Sequence, residues 1–181
     1  IDVIAYGAQS DGTTDSTAAI QAAINVLTSS QGGYIYFPAG PYRVTDTLTI
    51  SKDRTNLIGA GKQDTILNFV PGSAKTLLKF TGSGVVLNQC SVRDMAFSGN
   101  NASKKIGIEV IDNSEFTIQD VAAFPWTGAV SEFIKLEGRE ATWINRASCN
   151  ADLPLRISDN PNSTIDCDHL SVTDCYFIGS D

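Results

Sequence analysis

Four stretches decide the fold: Cys90–Phe97 (CSVRDMAF), Phe116–Ala123 (FTIQDVAA), Thr142–Cys149 (TWINRASC) and Leu170–Phe177 (LSVTDCYF). Aligned on one another, they place Val92, Ile118, Ile144 and Val172 in one column, at steps of 26, 26 and 28 residues. Each stretch reads strand, bend, strand. Evenly spaced units of this kind signal a solenoid, in which each repeat stacks on the last and none buries its own apolar face alone. Alternate residues of a strand share a face, so Cys90, Phe116, Thr142 and Leu170 point inward with that column. Past the bend, Met95, Val121, Ala147 and Cys175 align, and so do Phe97, Ala123, Cys149 and Phe177. The bend carries Asp94, Asp120, Arg146 and Asp174.

A second set of strands lies between these units, at Leu77–Phe80, Ile106–Val110, Phe133–Leu136 and Leu153–Ile157. Its core column is Leu78, Ile108, Ile134 and Leu155. Three strand segments per turn, with apolar side chains inward, predict an all-β fold: a parallel β-helix (solenoid), right-handed as parallel crossovers generally are.

The first third of the chain follows a different pattern. Asp11-Gly12 signals a turn, and Thr14 or Asp15 can cap a helix. From Ser16 to Leu27, Ile20, Ala23, Ile24 and Leu27 recur at helical spacing. The pattern predicts an N-terminal strand and a capping α-helix over residues 1–33, then β-helix rungs over 34–181, in a single domain. Laid across the open end of the first rung, the helix buries Ile20, Ile24 and Leu27, for about 1.5–3 kcal/mol each. Strands follow at Tyr34–Phe37, Tyr42–Val44, Leu48–Ile50, Asn56–Ile58 and Ile66–Phe69.

Composition excludes some roles. A formal net charge of −7 argues against nucleic acid as a partner. No apolar run is long enough for a membrane span. Cys90, Cys149 and Cys175 fall in inward columns beside apolar residues, so all four cysteines, Cys167 included, are expected reduced. No CxxC spacing suggests a metal, and no cofactor is expected. Sequons at Asn101 and Asn162 matter only on a eukaryotic secretory route.

The stretches DVIAYGAQSDGTTDSTAAIQAAI, GGYIYFPAGPYRV, TLTI and TNLIGAG, within residues 2–61, resemble the N-terminal signature of the pectin lyase-like superfamily. The segment that opens bacteriophage tailspikes and related polysaccharide depolymerases is the most similar. The resemblance implies a capped right-handed β-helix that binds or cleaves polysaccharide. It implies a bacterial surface polysaccharide (capsule or O-antigen) as partner, a homotrimer, and an extracellular place on a virion tail. Two alternatives stay open: a non-catalytic host-adhesion module, and a secreted pectinase-like glycoside hydrolase or polysaccharide lyase. The family's catalytic carboxylates lie in central rungs. The chain is expected to stop before or within that region and to be inactive alone, whereas the parent protein is expected to be an enzyme.

Candidate site residues come from the outward columns. Trp143 and Asn145, with Gln119 one rung earlier, form an aromatic flanked by amides, which suits sugar stacking. A subunit contact, where Trp is enriched, and a loop packed over Trp143 are the bland readings, and each is favoured over sugar stacking. Trp126, in the loop Phe124-Pro125-Trp126-Thr127-Gly128, is a further carbohydrate-binding candidate, with closure of that loop onto the core as the alternative. Lys79, Glu109, Lys135 and Arg156 form an outward charge ladder, either structural or a cationic edge for an acidic glycan. The bend column suits turn geometry, with calcium as the alternative. His169 is expected to face solvent. Glu109, Asp112, Glu115, Glu132, Glu137 and Asp152 are available as carboxylates. Spacing does not reveal which two converge, so no catalytic residue is assigned.

Overall fold

The computed structural model describes residues 1–28, 31–82, 84, 86–100, 104–127, 131–139, 141–158 and 169–178. Cys167, Asn101 and Asn162 lie outside them. The fold is a parallel β-solenoid with one α-helix at its N-terminal end. Two sheets run along it. Sheet A has ten strands, in which Gly33–Phe37, Thr55–Gly59, Ser91–Asn100, Phe116–Thr127, Ala141–Asn145 and His169–Thr173 stack in order. Sheet B has six, ordered from Leu48–Ile50 through Lys75–Thr81, Lys105–Ser114 and Glu132–Arg139 to Leu153–Ser158, with Leu87–Asn88 beside Lys105–Ser114.

The register is the one the repeat predicts. Val92 pairs with Ile118, Ile118 with Ile144, and Ile144 with Val172. In sheet B, Leu78, Ile108, Ile134 and Leu155 stack likewise. All of these except Val172 and Leu155 are fully buried, and Val172 is 41% exposed because it sits on the last described rung. The same position leaves Cys175 half-buried rather than buried, while Cys90 and Cys149 are buried and all three are free thiols. Burial pushes the Cys149 thiol up to about 12, so it behaves as a small apolar core group.

From Ser91–Asn100 onward, the bend inside sheet A has one cause in each rung. Asp94, Asp120, Arg146 and Asp174 all take left-handed backbone, with φ of 57°, 51°, 51° and 53°. Asp tolerates that region and Arg does so less readily. Arg146 is held there by a two-point ion pair to the Asp120 carboxylate one rung away, with Nε 2.6 Å from Oδ1. A second left-handed column, at the turn from sheet B into sheet A, was not predicted. It comprises Gly32, Arg54, Gln89 and Glu115, with φ of 62°, 54°, 55° and 59°. Arg54 N–H donates to Asn88 O and Gln89 N–H to Ser114 O, which locks this turn to the next rung.

The N-terminal strand does not form. Residues Val3–Tyr6 make a 3-10 turn, and only an isolated bridge joins Asp2 to Tyr36. The helix is shorter than predicted, Thr17–Asn25, with Ile20, Ala23 and Ile24 buried and Leu27 buried just beyond it. Ser16 occupies the cap position, but its hydroxyl bonds to Gln9; Asp15 supplies the cap, accepting from Thr17 N at 3.0 Å. The helix also closes a sheet edge. The Gln21 side-chain amide accepts from Thr49 N (2.8 Å) and donates to Thr49 O (3.0 Å), filling the bonds a neighbouring strand would make to Leu48–Ile50.

Candidate functional site

Every rung presents two outward positions before the bend of sheet A. Register stacks them into parallel columns. The first runs Tyr34, Asn56, Ser91, Thr117, Trp143 and Ser171; the second runs Tyr36, Ile58, Arg93, Gln119, Asn145 and Thr173. A groove of about 550 Å³ follows these columns, bounded by Tyr34 at one end and Trp143 at the other, with Gln89 and Glu115 from the second bend column along one side. Four rung steps separate the two aromatics, about 19 Å at strand spacing.

The groove floor is polar and internally ordered. Ser91 Oγ donates to Asn56 Oδ1 at 2.6 Å, and Asn56 Nδ2 donates to Arg54 O at 2.8 Å. Asn145 Nδ2 donates to Thr173 Oγ1 at 2.6 Å. Arg93 brings a guanidinium into the middle, and Glu115 is the one carboxylate among the lining residues described. The two aromatics stay open to water, Tyr34 at 58% and Trp143 at 41% exposure. An aromatic face at each end, with amides and hydroxyls one rung apart between them, offers stacking and hydrogen bonds to a sugar chain.

The structure therefore brings Trp143, Asn145 and Gln119 together on one face. Trp126 is withdrawn from the candidates. It is fully buried, stacks on Phe69 at 6.3 Å between ring centroids, and donates Nε1–H to Glu132 O at 3.0 Å. Tyr34, Asn56, Ser91 and Arg93 were missed as site residues. Alternation within Gly33–Phe37 and Thr55–Gly59 carries the signal, but the even repeat begins only at Cys90.

The outer face of sheet B is closed on itself. Glu109 accepts from Lys135 Nζ at 2.9 Å and from Thr76 Oγ1 at 3.2 Å, and pairs with Lys79 Nζ at 3.4 Å. Lys135 also reaches Glu137 at 2.8 Å. Glu132 pairs with Arg156 at 3.1 Å and Lys104 at 3.3 Å. Burial works to raise the Glu109 carboxyl, but Lys135 and then Lys79 outweigh it and hold it below its ordinary value. Glu109, Glu132 and Glu137 are thus each tied to a cation. Asp152 accepts from Ser131 N at 3.0 Å. His169 is exposed.

At the bend, the Arg146 hydrogen bonds hold the Asp120 carboxyl below its ordinary value. Among the described residues, no group of three or more His, Cys, Asp or Glu is placed to hold a metal ion. No helix among them is long and apolar enough to cross a membrane.

Known proteins share this frame. Residues 1–83 match the family model for rhamnogalacturonase A/epimerase, pectate lyase-like proteins. Mannuronan C5-epimerase AlgE4 of Azotobacter vinelandii is 35% identical over 111 residues, covering 56% of this chain and 20% of the epimerase. The ORF18 protein of Geobacillus virus E2 superposes with a TM-score of 0.65 at 23% identity, over 97% of this chain and 41% of that one. PfbA, a surface adhesin of Streptococcus pneumoniae, gives 0.63 at 19% identity, over 82% of this chain and 38% of that one. The two structural likenesses speak to fold alone. The chain spans a fifth of the epimerase's length and about two fifths of each solved chain. Its fold is a parallel β-helix, and its first 83 residues are similar to the pectate lyase-like family.

Proposed function

We propose that this chain is the glycan-binding part of a phage tailspike-like protein, which lays a bacterial surface polysaccharide along the outer face of sheet A. The observation that carries the reading is the groove itself. It has an exposed aromatic at each end, a ladder of Asn56, Ser91, Thr117 and Gln119 between them, and Arg93 at the centre. Arg93 favours a glycan that carries carboxylates, because a guanidinium pairs with them at two points. The virus protein's fold and the epimerase's mannuronan, a polyuronate, are consistent with this. Assembly as a homotrimer and a place on the virion tail belong to the same reading.

Depolymerisation is the further step of this proposal for the parent protein. Hydrolysis needs two carboxylates, about 5–9.5 Å apart, across the bond. The described groove lining supplies Glu115 only. That observation favours the second reading for residues 1–181, in which they bind and hold the chain without cleaving it.

The test is calorimetric titration of the protein with capsular, O-antigen and polyuronate oligosaccharides. Reducing ends and unsaturated uronates are followed in parallel, and mass is measured by light scattering. Saturable binding that Trp143→Ala weakens supports the groove reading. No binding to any of these glycans, or binding indifferent to both Trp143→Ala and Tyr34→Ala, overturns it. Turnover near 1 s⁻¹ would place a complete catalytic site within these residues. A monomer by light scattering would remove the trimer from the proposal.

A further inference from the structure

Beyond the bend, sheet A has another outward column, on a face separate from the groove. Arg43 pairs with Asn68, and Asn68 with Ser98. An open cavity of about 370 Å³ lies over them, with the exposed Val70 as apolar lining and Gly12 and Thr13 as a wall. That wall is fixed. The Asp11 carboxylate accepts from Thr13 N and Thr14 N, both at 2.8 Å, and from Thr14 Oγ1 at 2.7 Å. These bonds, led by the one from Thr14 N, hold the Asp11 carboxyl down at about 2. Arg43 donates to Thr13 O at 3.1 Å, which aims its guanidinium along the wall. Gly12 has φ +73°, and a Cβ there would meet the Pro41 ring at 3.1 Å.

A bulge lies in the strand next to Ser98. Ala123 pairs with Phe97 and Trp126 with Gly99, so Phe116–Thr127 carries one residue more than its neighbour opposite Ser98. This bulge lets Trp126 turn into the core and leaves Phe124 57% exposed. Bulges re-aim side chains where a strand meets a functional surface. Asn68 and Ser98 carry no side-chain hydrogen bond among the described residues.

We propose that Arg43, Asn68, Ser98 and Phe124 form a second carbohydrate site, suited to a sugar that bears a carboxylate. The guanidinium pairs with the carboxylate. The amide and hydroxyl bond ring hydroxyls, and the phenyl ring stacks on the sugar's apolar face. Two sites on adjacent faces of the same rungs would hold a long polyanionic glycan more firmly than either alone.

The test is a titration of the isotopically labelled protein with tri-galacturonate, read by amide chemical shifts, with maltotriose as the neutral control. The expected result is saturable movement of the Asn68 side-chain amide and the Ser98 backbone amide. Phe124→Ala should weaken that response about tenfold, while Asn56 and Gln119 in the groove respond as before. Trp143→Ala should do the reverse. Higher salt should weaken the response at Asn68. Unmoved Asn68 and Ser98 amides would overturn the second site and leave the groove standing. So would a response that survives both Phe124→Ala and Asn68→Ala. An equal response to maltotriose would overturn the acidic specificity.

Discussion

The outer faces of sheets A and B rise from the same rungs, yet they use their polar side chains in opposite ways. On sheet B the outward column is Lys79, Glu109, Lys135 and Arg156, and Glu109 pairs directly with both Lys79 and Lys135. On sheet A the outward columns hold amides, hydroxyls, Arg93 and three open aromatics, Tyr34, Tyr36 and Trp143, around a groove. A stack of parallel strands repeats any outward residue every 4.8 Å or so. Like charges there would repel and opposite charges lock. Sheet B takes the locked arrangement, leaving Glu109 only 7% exposed in its side chain. Sheet A leaves Tyr34 and Trp143 open to water, the stacking surface that the proposed glycan site uses. The lesson is that charge density on a solenoid face is a poor guide to function; unpaired stacking surface is a better one.

The sharpest way to break this comparison is to remove what both faces share. Ile24→Asp would bury an uncompensated charge between the helix and the first rung, at a cost of about 3 kcal/mol or more. The thermal midpoint should fall and glycan binding should weaken with it, because the groove begins at Tyr34 on that rung. A wild-type midpoint in this variant would show that the helix does not seal the stack.

The next perturbation should separate the faces. Glu109→Ala leaves Lys79 and Lys135 without their shared partner. A fully buried pair broken this way costs about 3–5 kcal/mol, and the partial exposure of Lys79 reduces the expectation to about 2 kcal/mol. Urea unfolding should show the loss, while affinity for the groove ligand stays unchanged. A Glu109→Ala protein of normal stability but weakened glycan binding would reverse the roles assigned to the two faces.

Trp143→Ala is the mirror experiment. Its ring is exposed and supports no core contact, so stability should move by less than about 0.5 kcal/mol. Glycan affinity should drop about tenfold, as expected for one lost stacking platform. A fall in stability without a fall in affinity would assign Trp143 to a packing role.

These contrasts were only partly legible in the sequence. Inward columns were legible because a period-two strand pattern, repeated every 26 residues, has one consistent register. The Lys79–Glu109–Lys135 ladder followed from the same register. Trp126 stood open in the sequence between a carbohydrate contact and closure of its loop onto the core; the bulge after Ala123 shifts the alternation by one residue and turns it inward, and the Pro in Phe124-Pro125-Trp126 is the one sequence mark of that bulge. Arg54, Gln89 and Glu115 carry no sequence signal for left-handed backbone, unlike Asp94, Asp120 and Asp174, so the second bend column was hidden. The groove itself joins residues from five rungs, and its first two members, Tyr34 and Asn56, lie before the recognised repeat. The helix end was overextended because Leu27 keeps the apolar spacing while packing from the turn beyond Asn25.

The smallest effect is the one that most narrowly tests the sheet B ladder. The Glu109 carboxyl is pushed up by burial and pulled down more strongly by Lys135 and Lys79, so its folded value lies below the ordinary 4.5. A depressed carboxyl contributes stability that is present above its unfolded value and is lost as pH falls through its folded value. Lys135 runs the other way: burial works to lower it, and Glu137 and Glu109 raise it above its ordinary 10.5. Its contribution is present below that value and lost only in strong alkali. The ladder should therefore be intact from about pH 5 to pH 9 and weaken first on the acid side, by less than about 1 kcal/mol at this half-open face. Urea unfolding of wild type and Glu109→Gln across pH 3–9 would show the difference. Their stability gap should be constant at neutral pH and narrow below 4.5, whereas Trp143→Ala should track wild type throughout. A gap that stays constant down to pH 3 would mean that Glu109 is not held by its lysines, and the contrast between the two faces would lose its electrostatic basis.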